Sequence, residues 1–358
     1  MKRLYTPWGE TVDKTCPLPE YPRPQLVRSS YLCLNGLWDY AVEDGDEHTR
    51  RSTGKILVPF APESLLSGCG FQLRSGETLR YERTFTLPQG FRRDRVLLHF
   101  GAVDQCCRVL VNGQEAGRHE GGYLPFCLDV TALLNDGENR LTAVVTDDAA
   151  GGKQRYQRGG IWYTATSGIW QTVWLESVPE NYVKSLRLTP DLDAGVLRWH
   201  IEADAAEGAR VTVRAGDTVI AEGRADENGD GVSVIPAAQL RPWSPEDPFL
   251  YDVDITLGED RVASYFGMRK FSLVEHQGRQ VLALNNEPYF QTGLLDQGYW
   301  SDGLYTPPSD EAMVCDIRTM KELGFNMLRK HIKIEPLRWY YHCDRLGMLV
   351  WQDMVSGF

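Results

Sequence analysis

The side chains best suited to chemistry in this sequence lie towards its C-terminal end, beside short apolar runs. Arg329 and His331 close one such run, Asp353 follows a second, and Asp296 follows a strand-like segment further upstream. Alternate residues of a β-strand point to the same side of the sheet, so Arg329 and His331 are predicted to share one face. If the runs are neighbouring parallel strands, these side chains lie at the edge where β/α barrels bind their substrates.

The elements that must position these residues alternate between strand and helix signals. Ser309 is predicted to be the N-cap of a helix that ends before Gly324, and Pro336 is predicted to be the first residue (N1) of a second helix that ends at Gly347. A complete β/α barrel needs about 250 residues, so 275–358 would supply at most three of its eight strands. Strands are predicted at 289–293, 325–330 and 348–352.

Two β-rich blocks precede this segment. Residues 1–178 contain short β-rich runs without a helical period, which predicts a sandwich or jelly roll, with a tight hairpin turn at Asn112-Gly113. Residues 179–274 have the spacing of one immunoglobulin-like sandwich. Core packing is predicted for four tryptophans of the first block: Trp38, Trp162, Trp170 and Trp174. Its predicted strands are 31–42, 55–60, 79–87, 95–100, 108–111, 124–130, 139–146 and 171–176.

The order of these blocks, together with several short motifs, resembles glycoside hydrolase family 2 over nearly the whole chain. Each motif alone is weak, but their fixed order across three predicted domains is specific. The motifs are Leu34-Asn-Gly-Leu-Trp38, Val58-Pro-Phe60, Gly121-Gly-Tyr123, Thr166-Ser-Gly-Ile-Trp170, Trp243-Ser-Pro-Glu246, Pro248-Phe-Leu-Tyr251 and Phe266-Gly-Met-Arg269.

The resemblance implies a jelly-roll sugar-binding domain, an immunoglobulin-like domain and the start of a TIM barrel that cleaves β-galactosides, β-glucuronides or similar β-glycosides with retention. Retention uses two carboxylates about 5 Å apart as nucleophile and acid/base. In the family they come from the fourth and seventh barrel strands, and no Asn-Glu dipeptide follows the predicted barrel strands. We therefore expect both glutamates to lie beyond Phe358, and we expect this chain alone to be inactive.

The resemblance also implies roles for four substrate-site residues. Arg329 matches an arginine that lies beside the nucleophile, and Asp296 matches an acidic residue that binds sugar hydroxyls. His331 departs from the pattern, because many relatives have two residues rather than one between the arginine and the histidine. Asp353 would emerge on the same substrate-facing side.

For three of these residues a structural reading stays open beside the functional one. His331 could be a hydrogen-bonded strand end, Asp296 a loop-stabilising group and Asp353 a helix cap. The aromatic segment Gly298-Tyr-Trp300 is predicted either to stack on a sugar ring or to pack against another domain.

Composition limits the partners. The net charge of −11, with scattered basic residues, argues against nucleic acid and anionic membranes, so a carbohydrate is the expected partner, with a homo-oligomer possible. The sequence lacks an export signal and any long apolar run, which predicts a cytoplasmic protein. The eight cysteines form no C-x-x-C pair and are predicted to be free thiols. No motif indicates an organic cofactor or a metal site.

Two other function classes remain open from sequence. The same domains could form a non-catalytic carbohydrate-binding protein, or a structural module that binds another protein. The first would bind sugars without turnover, and the second would not respond to sugars.

Overall fold

Two antiparallel sheets pack face to face in the first unit of the chain. The computed structural model describes residues 4–44, 50–147 and 163–355. The strands of the first unit are β1 (Leu32–Cys33), β2 (Gly36–Asp44), β3 (Arg50–Val58), β4 (Glu77–Thr86), β5 (Arg95–Phe100), β6 (Val103–Asp104), β7 (Cys106–Val111), β8 (Gln114–Glu120), β9 (Phe126–Asp129), β10 (Glu138–Thr146), β11 (Gly168–Ile169) and β12 (Val173–Val178). One sheet has the order β3-β2-β4-β10-β7-β8, and the other has the order β1-β12-β5-β9.

Alternating apolar side chains fill the space between these two sheets. Trp38 is fully buried in this core, as the sequence predicts. Trp170 and Trp174 are 0 % and 3 % exposed but are buried outside it, Trp170 against Tyr305 and Trp174 against His99, and Trp162 lies outside the described residues. Burial of a tryptophan removes about 200 Å² from water, which stabilises the fold by up to about 5 kcal/mol. The hairpin between β7 and β8 turns at Asn112 and Gly113, both at positive φ, as predicted.

The second unit is also a pair of antiparallel sheets, and Trp199 is buried in its core. Gly231 faces the indole of Trp199 so closely that a Cβ would lie 2.1 Å from a ring atom, which requires glycine there. The sheets have the orders β13-β14-β17 and β16-β15-β18-β19. The strands are β13 (Ser185–Asp191), β14 (Val196–Glu202), β15 (Arg210–Ala215), β16 (Thr218–Arg224), β17 (Asp230–Val234), β18 (Tyr251–Leu257) and β19 (Asp260–Phe266).

The third unit joins a small antiparallel sheet to a parallel one. The antiparallel strands are β20 (Phe271–His276), β21 (Arg279–Leu284) and β22 (Glu287–Pro288). The parallel strands are β23 (Gly293–Asp296), β24 (Met327–Lys330) and β25 (Leu349–Gln352), with β24 in the middle. Two helices connect the parallel strands, α2 (Asp310–Glu322) and α3 (Leu337–Leu346), while α1 (Pro7–Glu10) lies near the N-terminus.

The predicted boundaries in the third unit need two corrections. The strand predicted at 289–293 begins only at Gly293, because the Asn326 side chain binds the Thr292 N–H and the Phe290 carbonyl in place of a strand ladder. Pro336 is the N-cap of α3 rather than its N1 residue, since its ψ of 142° is extended. Ser309 caps α2 as predicted, by accepting a hydrogen bond from Ala312 N.

An N-terminal strap, residues 4–30, runs across all three units. Thr6 donates from its backbone N and its hydroxyl to Asp302 Oδ2, at 2.8 and 2.7 Å. Arg338 of α3 donates to the Tyr21 carbonyl at 3.0 Å. The strap therefore contacts the third unit at two separate places.

Arg28 of the strap joins the first two units through buried charges. Its guanidinium contacts Glu176 of β12 at 2.9 Å and both oxygens of Asp260 of β19 at 3.0 and 2.8 Å. The three residues are 5 %, 0 % and 1 % exposed. Burial opposes ionisation of Glu176, but Arg23, His99 and Arg28 outweigh it and lower its pKa to about 2. Arg28 and Glu176 thus form a buried ion pair, and the same guanidinium also binds Asp260.

Removing Arg28 should destabilise the chain strongly. Arg28→Ala leaves two carboxylates buried with too little positive charge, and we expect a loss of about 3–5 kcal/mol in the free energy of unfolding, measured by urea titration of tryptophan fluorescence. Lys55→Ala is the matched control, because the Lys55–Asp39 pair is exposed and should contribute at most about 1 kcal/mol. Equal effects of the two variants would contradict this assignment.

Stability should fall in acid because of His99, which stacks on Trp174 and is 5 % exposed. Burial lowers the pKa of His99 to about 3, with Arg23 and Arg28 adding to the shift against the opposing charge of Glu176. The unfolded chain takes up this proton below about pH 6.5, so the folded state loses up to about 1.4 kcal/mol per pH unit from there towards pH 3. Below about pH 4.5, Glu176 adds to this loss of stability, because the glutamate takes up a proton in the unfolded chain before it does so in the folded chain.

His99→Gln should flatten the unfolding free energy between about pH 6.5 and 4.5, as measured by urea unfolding at several pH values. The exposed His276 provides the control, and His276→Gln should keep the slope of the parent chain. An unchanged slope in His99→Gln would assign the acid sensitivity to other groups.

Candidate functional site at the ends of the parallel strands

The parallel sheet of the third unit has two different faces. The helix face carries Leu328, which is 2 % exposed against the helices, and Lys330. The open face carries Leu295, Arg329 and Trp351, which lie side by side across the three strands. Leu295 is 50 % exposed and Trp351 is 47 % exposed, so the open face is in contact with solvent.

Three of the four predicted site residues meet at the carboxyl end of the open face, where they form the open-face cluster with Gln297. Arg329 donates from Nε to Asp353 Oδ1 at 3.0 Å. His331 Nδ1 lies 3.0 Å from Gln297 Oε1, and its Nε2 lies 3.9 Å from Asp353 Oδ2. The cluster places a cation, an imidazole and a carboxylate at one strand edge.

The groups of this cluster differ in how far they face solvent. The side chain of Arg329 is 50 % exposed and that of Asp353 is 22 % exposed, whereas His331 is 9 % exposed. A guanidinium has five donors in a fixed fork, and the half-exposed one can take a second carboxylate or several hydroxyls. The arrangement can therefore bind an anionic or hydroxyl-rich ligand from the open side.

Asp296 lies apart from this cluster, in a buried ionic network on the helix face. Its Oδ2 pairs with Lys330 at 2.7 Å, and its Oδ1 accepts from Gly298 N at 2.7 Å. Lys330 and Lys333 contact the two oxygens of Glu335 at 2.8 Å each. Burial opposes ionisation of Asp296, but Lys330 outweighs it and holds the pKa below its ordinary value. Both carboxylate oxygens of Asp296 are engaged within the protein.

The buried network holds the loop that follows β23 against the first unit. Lys333 donates to the carbonyls of Gly298 and Tyr305 at 2.6 and 2.8 Å. Tyr299 donates to the Thr164 carbonyl at 2.7 Å, and Tyr305 packs against Trp170. Tyr299 thus packs against another unit, which is one of the two roles expected for the aromatic segment.

A cavity of about 300 Å³ opens beside the network. Asp296, Trp300 and Asp316 line it together with apolar side chains of α2 and β24. Its volume is at the lower end of the range for small-ligand sites. Gln297 of the open-face cluster also lines it, so the cavity and the cluster adjoin where β23 ends.

Sequence reasoning missed the charged residues on the helix face and the part played by Gln297. The sequence does not predict Lys330, Lys333 and Glu335 as site residues, although they are among the most buried charged residues of the third unit. Lysine and glutamate are usually exposed, so their type gives no signal of burial. The one signal in the sequence is strand alternation, which predicts that Lys330 and Arg329 point to opposite faces of the sheet.

Across residues 4–44, 50–147 and 163–355, no group of three or more His, Cys, Asp and Glu side chains is arranged to hold a metal ion. Within the same ranges, no helix has the length and apolarity to cross a membrane. All eight cysteines are free thiols.

Comparison with known families gives two adjacent matches. The model described as "Glycosyl hydrolases family 2, sugar binding domain" matches residues 71–179, and the model described as "Glycosyl hydrolases family 2" matches residues 181–269.

Curated relatives include two bacterial β-galactosidases. The enzyme of Halalkalibacterium halodurans is 26 % identical over 94 % of this chain and 31 % of its own length. That of Leuconostoc mesenteroides is 29 % identical over 75 % of this chain and 28 % of its own length. The chain thus spans about a third of the length of the curated relatives it matches.

Solved structures similar to this chain include β-glucuronidases. One from Faecalibacterium prausnitzii has a TM-score of 0.77 at 23 % identity, covering 94 % of this chain and 61 % of the other. One from an uncultured Clostridium sp. has a TM-score of 0.75 at 26 % identity, covering 92 % and 60 %. The mainly β architecture is shared with these proteins.

The two sides of the parallel sheet should respond differently to mutation. Glu335→Gln removes the negative charge that pairs with the buried Lys330 and Lys333. We expect the free energy of unfolding to fall by about 3–5 kcal/mol in urea titrations. Arg329→Ala removes a half-exposed pair and should cost at most about 1 kcal/mol. The control Glu311→Gln, on the exposed side of α2, should have no measurable effect. A larger loss for Arg329→Ala than for Glu335→Gln would contradict the assignment of faces.

Proposed function

Since the chain belongs to glycoside hydrolase family 2, we propose that it supplies the N-terminal portion of a retaining β-glycosidase. The observation that carries this proposal is the open-face cluster. Arg329, His331 and Asp353 lie together at the carboxyl ends of parallel strands, the edge where β/α enzymes bind substrate. The helices cover only the other face of the sheet.

The proposal includes three domains. Residues 1–178 form a jelly-roll sugar-binding domain, 179–274 an immunoglobulin-like sandwich, and 275–358 the first strands and helices of a TIM barrel. Support comes from the separate apolar cores of the first two units and from the two successive strand–helix–strand units around β24. Parallel sheets of this kind are normally covered on both faces.

Exposed apolar groups in the third unit support the presence of further barrel strands in the whole enzyme. Leu295 and Trp351 occupy the open face, while Phe271 and Leu273 are 58 % and 65 % exposed on β20. Large apolar side chains left exposed on a sheet commonly mark a surface that another element covers. We propose that the remaining barrel strands pack there.

The two catalytic carboxylates are proposed to come from those remaining strands. Retention needs a nucleophile and an acid/base about 5 Å apart. Asp353 is held by Arg329, and Asp296 is held by Lys330 on the other side of the sheet, so these two are not such a pair. The chain of 358 residues alone is accordingly expected not to hydrolyse glycosides.

The site residues receive different roles in this proposal. Arg329 orients the nucleophilic carboxylate and keeps it ionised, because its charge favours the anion. His331 and Asp353 bind sugar hydroxyls. Asp296 acts through the network with Lys330, which positions the loop behind the site. The substrate is a β-galactoside, β-glucuronide or similar β-glycoside, in line with the relatives' names; a cytoplasmic location and a homo-oligomer stay predictions.

The test uses the complete translation product of the reading frame that encodes this chain, assayed against a panel of aryl β-glycosides. We expect release of the aryl group from at least one β-glycoside. Arg329→Ala should lower kcat/KM by at least about a hundredfold, since it removes a charge from the reacting carboxylate, with little change in thermal stability. The exposed Lys184 pairs with Asp204 on the surface of the second unit, so Lys184→Ala serves as the control and should keep full activity.

Two results would count against the proposal. Release of no sugar from the panel, combined with measurable sugar binding by calorimetry, would favour a non-catalytic carbohydrate-binding protein. Full activity in Arg329→Ala would place the substrate away from the open-face cluster.

A further inference from the structure

A cavity of about 320 Å³ lies where the N-terminal strap passes between the first and third units. The strap and both units contribute apolar side chains to this junction cavity, among them Leu18, Pro22, Phe126, Trp174, Ile334 and Leu337. Arg329, His331 and Asp353 of the open-face cluster are not part of its lining. The junction cavity is therefore a different space from the candidate site at the ends of the parallel strands.

Aromatic rings in fixed positions form the side of the cavity that belongs to the first unit. His99 stacks on Trp174 with the ring centres 4.7 Å apart, and Phe126 stacks on Phe100 at 4.9 Å. Rings already held by stacking lose little freedom when another ring packs beside them. Sites for small molecules are typically lined in this way and often lie between domains.

Most of the charges around the cavity are already paired within the protein. Four charged side chains line it, and three of them form ion pairs with residues outside the lining. These pairs are Arg23 with Glu176, Arg338 with Asp310, and Glu335 with Lys330 and Lys333. A paired charge attracts a further charge only weakly, so the lining favours an uncharged ligand over an ion.

Two buried polar atoms of the strap have no hydrogen-bond partner among the described residues. They are Glu20 Oε2, which is an acceptor, and Arg23 Nε, which is a donor, and both residues line the cavity. A buried polar atom without a partner is unfavourable, so a ligand that supplies the partner gains affinity. A hydroxyl group is uncharged and can both donate and accept.

Water alone satisfies such a cavity poorly. A buried water molecule typically makes two to four hydrogen bonds, and a lining that is mainly apolar supplies few of them. Displacement of poorly ordered water by an apolar group increases affinity. The cavity therefore favours a ligand that is mainly apolar and has one polar group.

We propose that the junction cavity binds a small, flat, uncharged aromatic compound that carries a hydroxyl group. The ring packs between the aromatic side chains of the first unit and the apolar side chains of the third. The hydroxyl donates to Glu20 Oε2, and its oxygen can accept from Arg23 Nε. Because the ligand contacts the strap and both units, it stabilises their association. Binding is non-covalent and does not depend on the hydrolysis of glycosides.

The test uses 2-naphthol, which has two fused rings, one hydroxyl and no charge at neutral pH. Calorimetric titration of the complete translation product should detect binding below about 1 mM, and the unfolding temperature should rise with the concentration of 2-naphthol. Two related compounds should bind at least about tenfold more weakly. 2-Methoxynaphthalene cannot donate to Glu20, and the carboxylate of 2-naphthoate is repelled by it.

Variants that fill the cavity locate the site. Cys127 lines it from an exposed position on β9, so Cys127→Phe should weaken 2-naphthol binding at least about tenfold by occupying the space. Leu337→Trp fills the cavity from the third unit and should have the same effect, which provides a second test if one variant folds poorly. The matched control is Val234→Phe, at a 67 % exposed position on β17, and it should bind 2-naphthol as the parent does.

Two further variants test the chemistry and the place of binding. Glu20→Gln removes the negative charge, so it should raise the affinity for 2-naphthoate relative to that for 2-naphthol. A merely structural role of Glu20 would not change this preference. Arg329→Ala should bind 2-naphthol with unchanged affinity, since Arg329 belongs to the open-face cluster.

Three results would overturn the proposal. The first is no heat of binding and no change in unfolding temperature at about 1 mM 2-naphthol. The second is unchanged affinity in Cys127→Phe and Leu337→Trp when both fold as the parent does. The third is a loss of binding in Arg329→Ala, which would place 2-naphthol at the open-face cluster. Each of these results leaves the test of glycoside hydrolysis unaffected.

Discussion

The buried guanidinium of Arg28 is the interaction on which the arrangement of the first two units depends. It binds one carboxylate from each unit, and the Val183 carbonyl, within a space that excludes water. A charge buried away from water is stable only when it is paired. Because Arg28 must contact both carboxylates, the positions of Glu176 and Asp260 are fixed relative to each other. Hydrophobic contacts alone would permit small rotations between two sandwiches, whereas a buried bidentate pair specifies one orientation.

A second set of contacts fixes the third unit against the second. The Trp243 indole donates to the Asp344 carbonyl at 2.6 Å, and Arg269 both stacks on that indole and pairs with the Asp344 carboxylate at 2.7 Å. These residues belong to two of the motifs that resemble the family. In this chain the two motifs therefore form a docking surface between the second and third units, away from the ends of the parallel strands.

Elements that depend on neighbouring residues are predictable from the sequence. The start of β23 is not, because there a distant side chain takes the place of a backbone hydrogen-bond partner. The Asn112-Gly113 hairpin and the Ser309 cap were predictable because turn and cap chemistry act within a few residues. The distant side chain at β23 is that of Asn326, more than thirty residues away, and it binds the preceding backbone. At the candidate site, strand alternation placed Arg329 and His331 on one face. The engagement of Asp296 by Lys330 depends on burial, which residue type does not encode.

The strap joins the earliest part of the chain to some of the latest. Tyr21 is bound by Arg338, 317 positions later, and Thr6 is bound to Asp302, 296 positions later. Ribosomes add about 5–20 residues per second, so the N-terminal segment waits on the order of 15–60 s for these partners to be synthesised. Both sandwiches can fold in that interval, and docking of the strap on the third unit comes afterwards. In the cell, the last contacts of the strap are therefore timed by translation rather than by the intrinsic folding rate of the sheets.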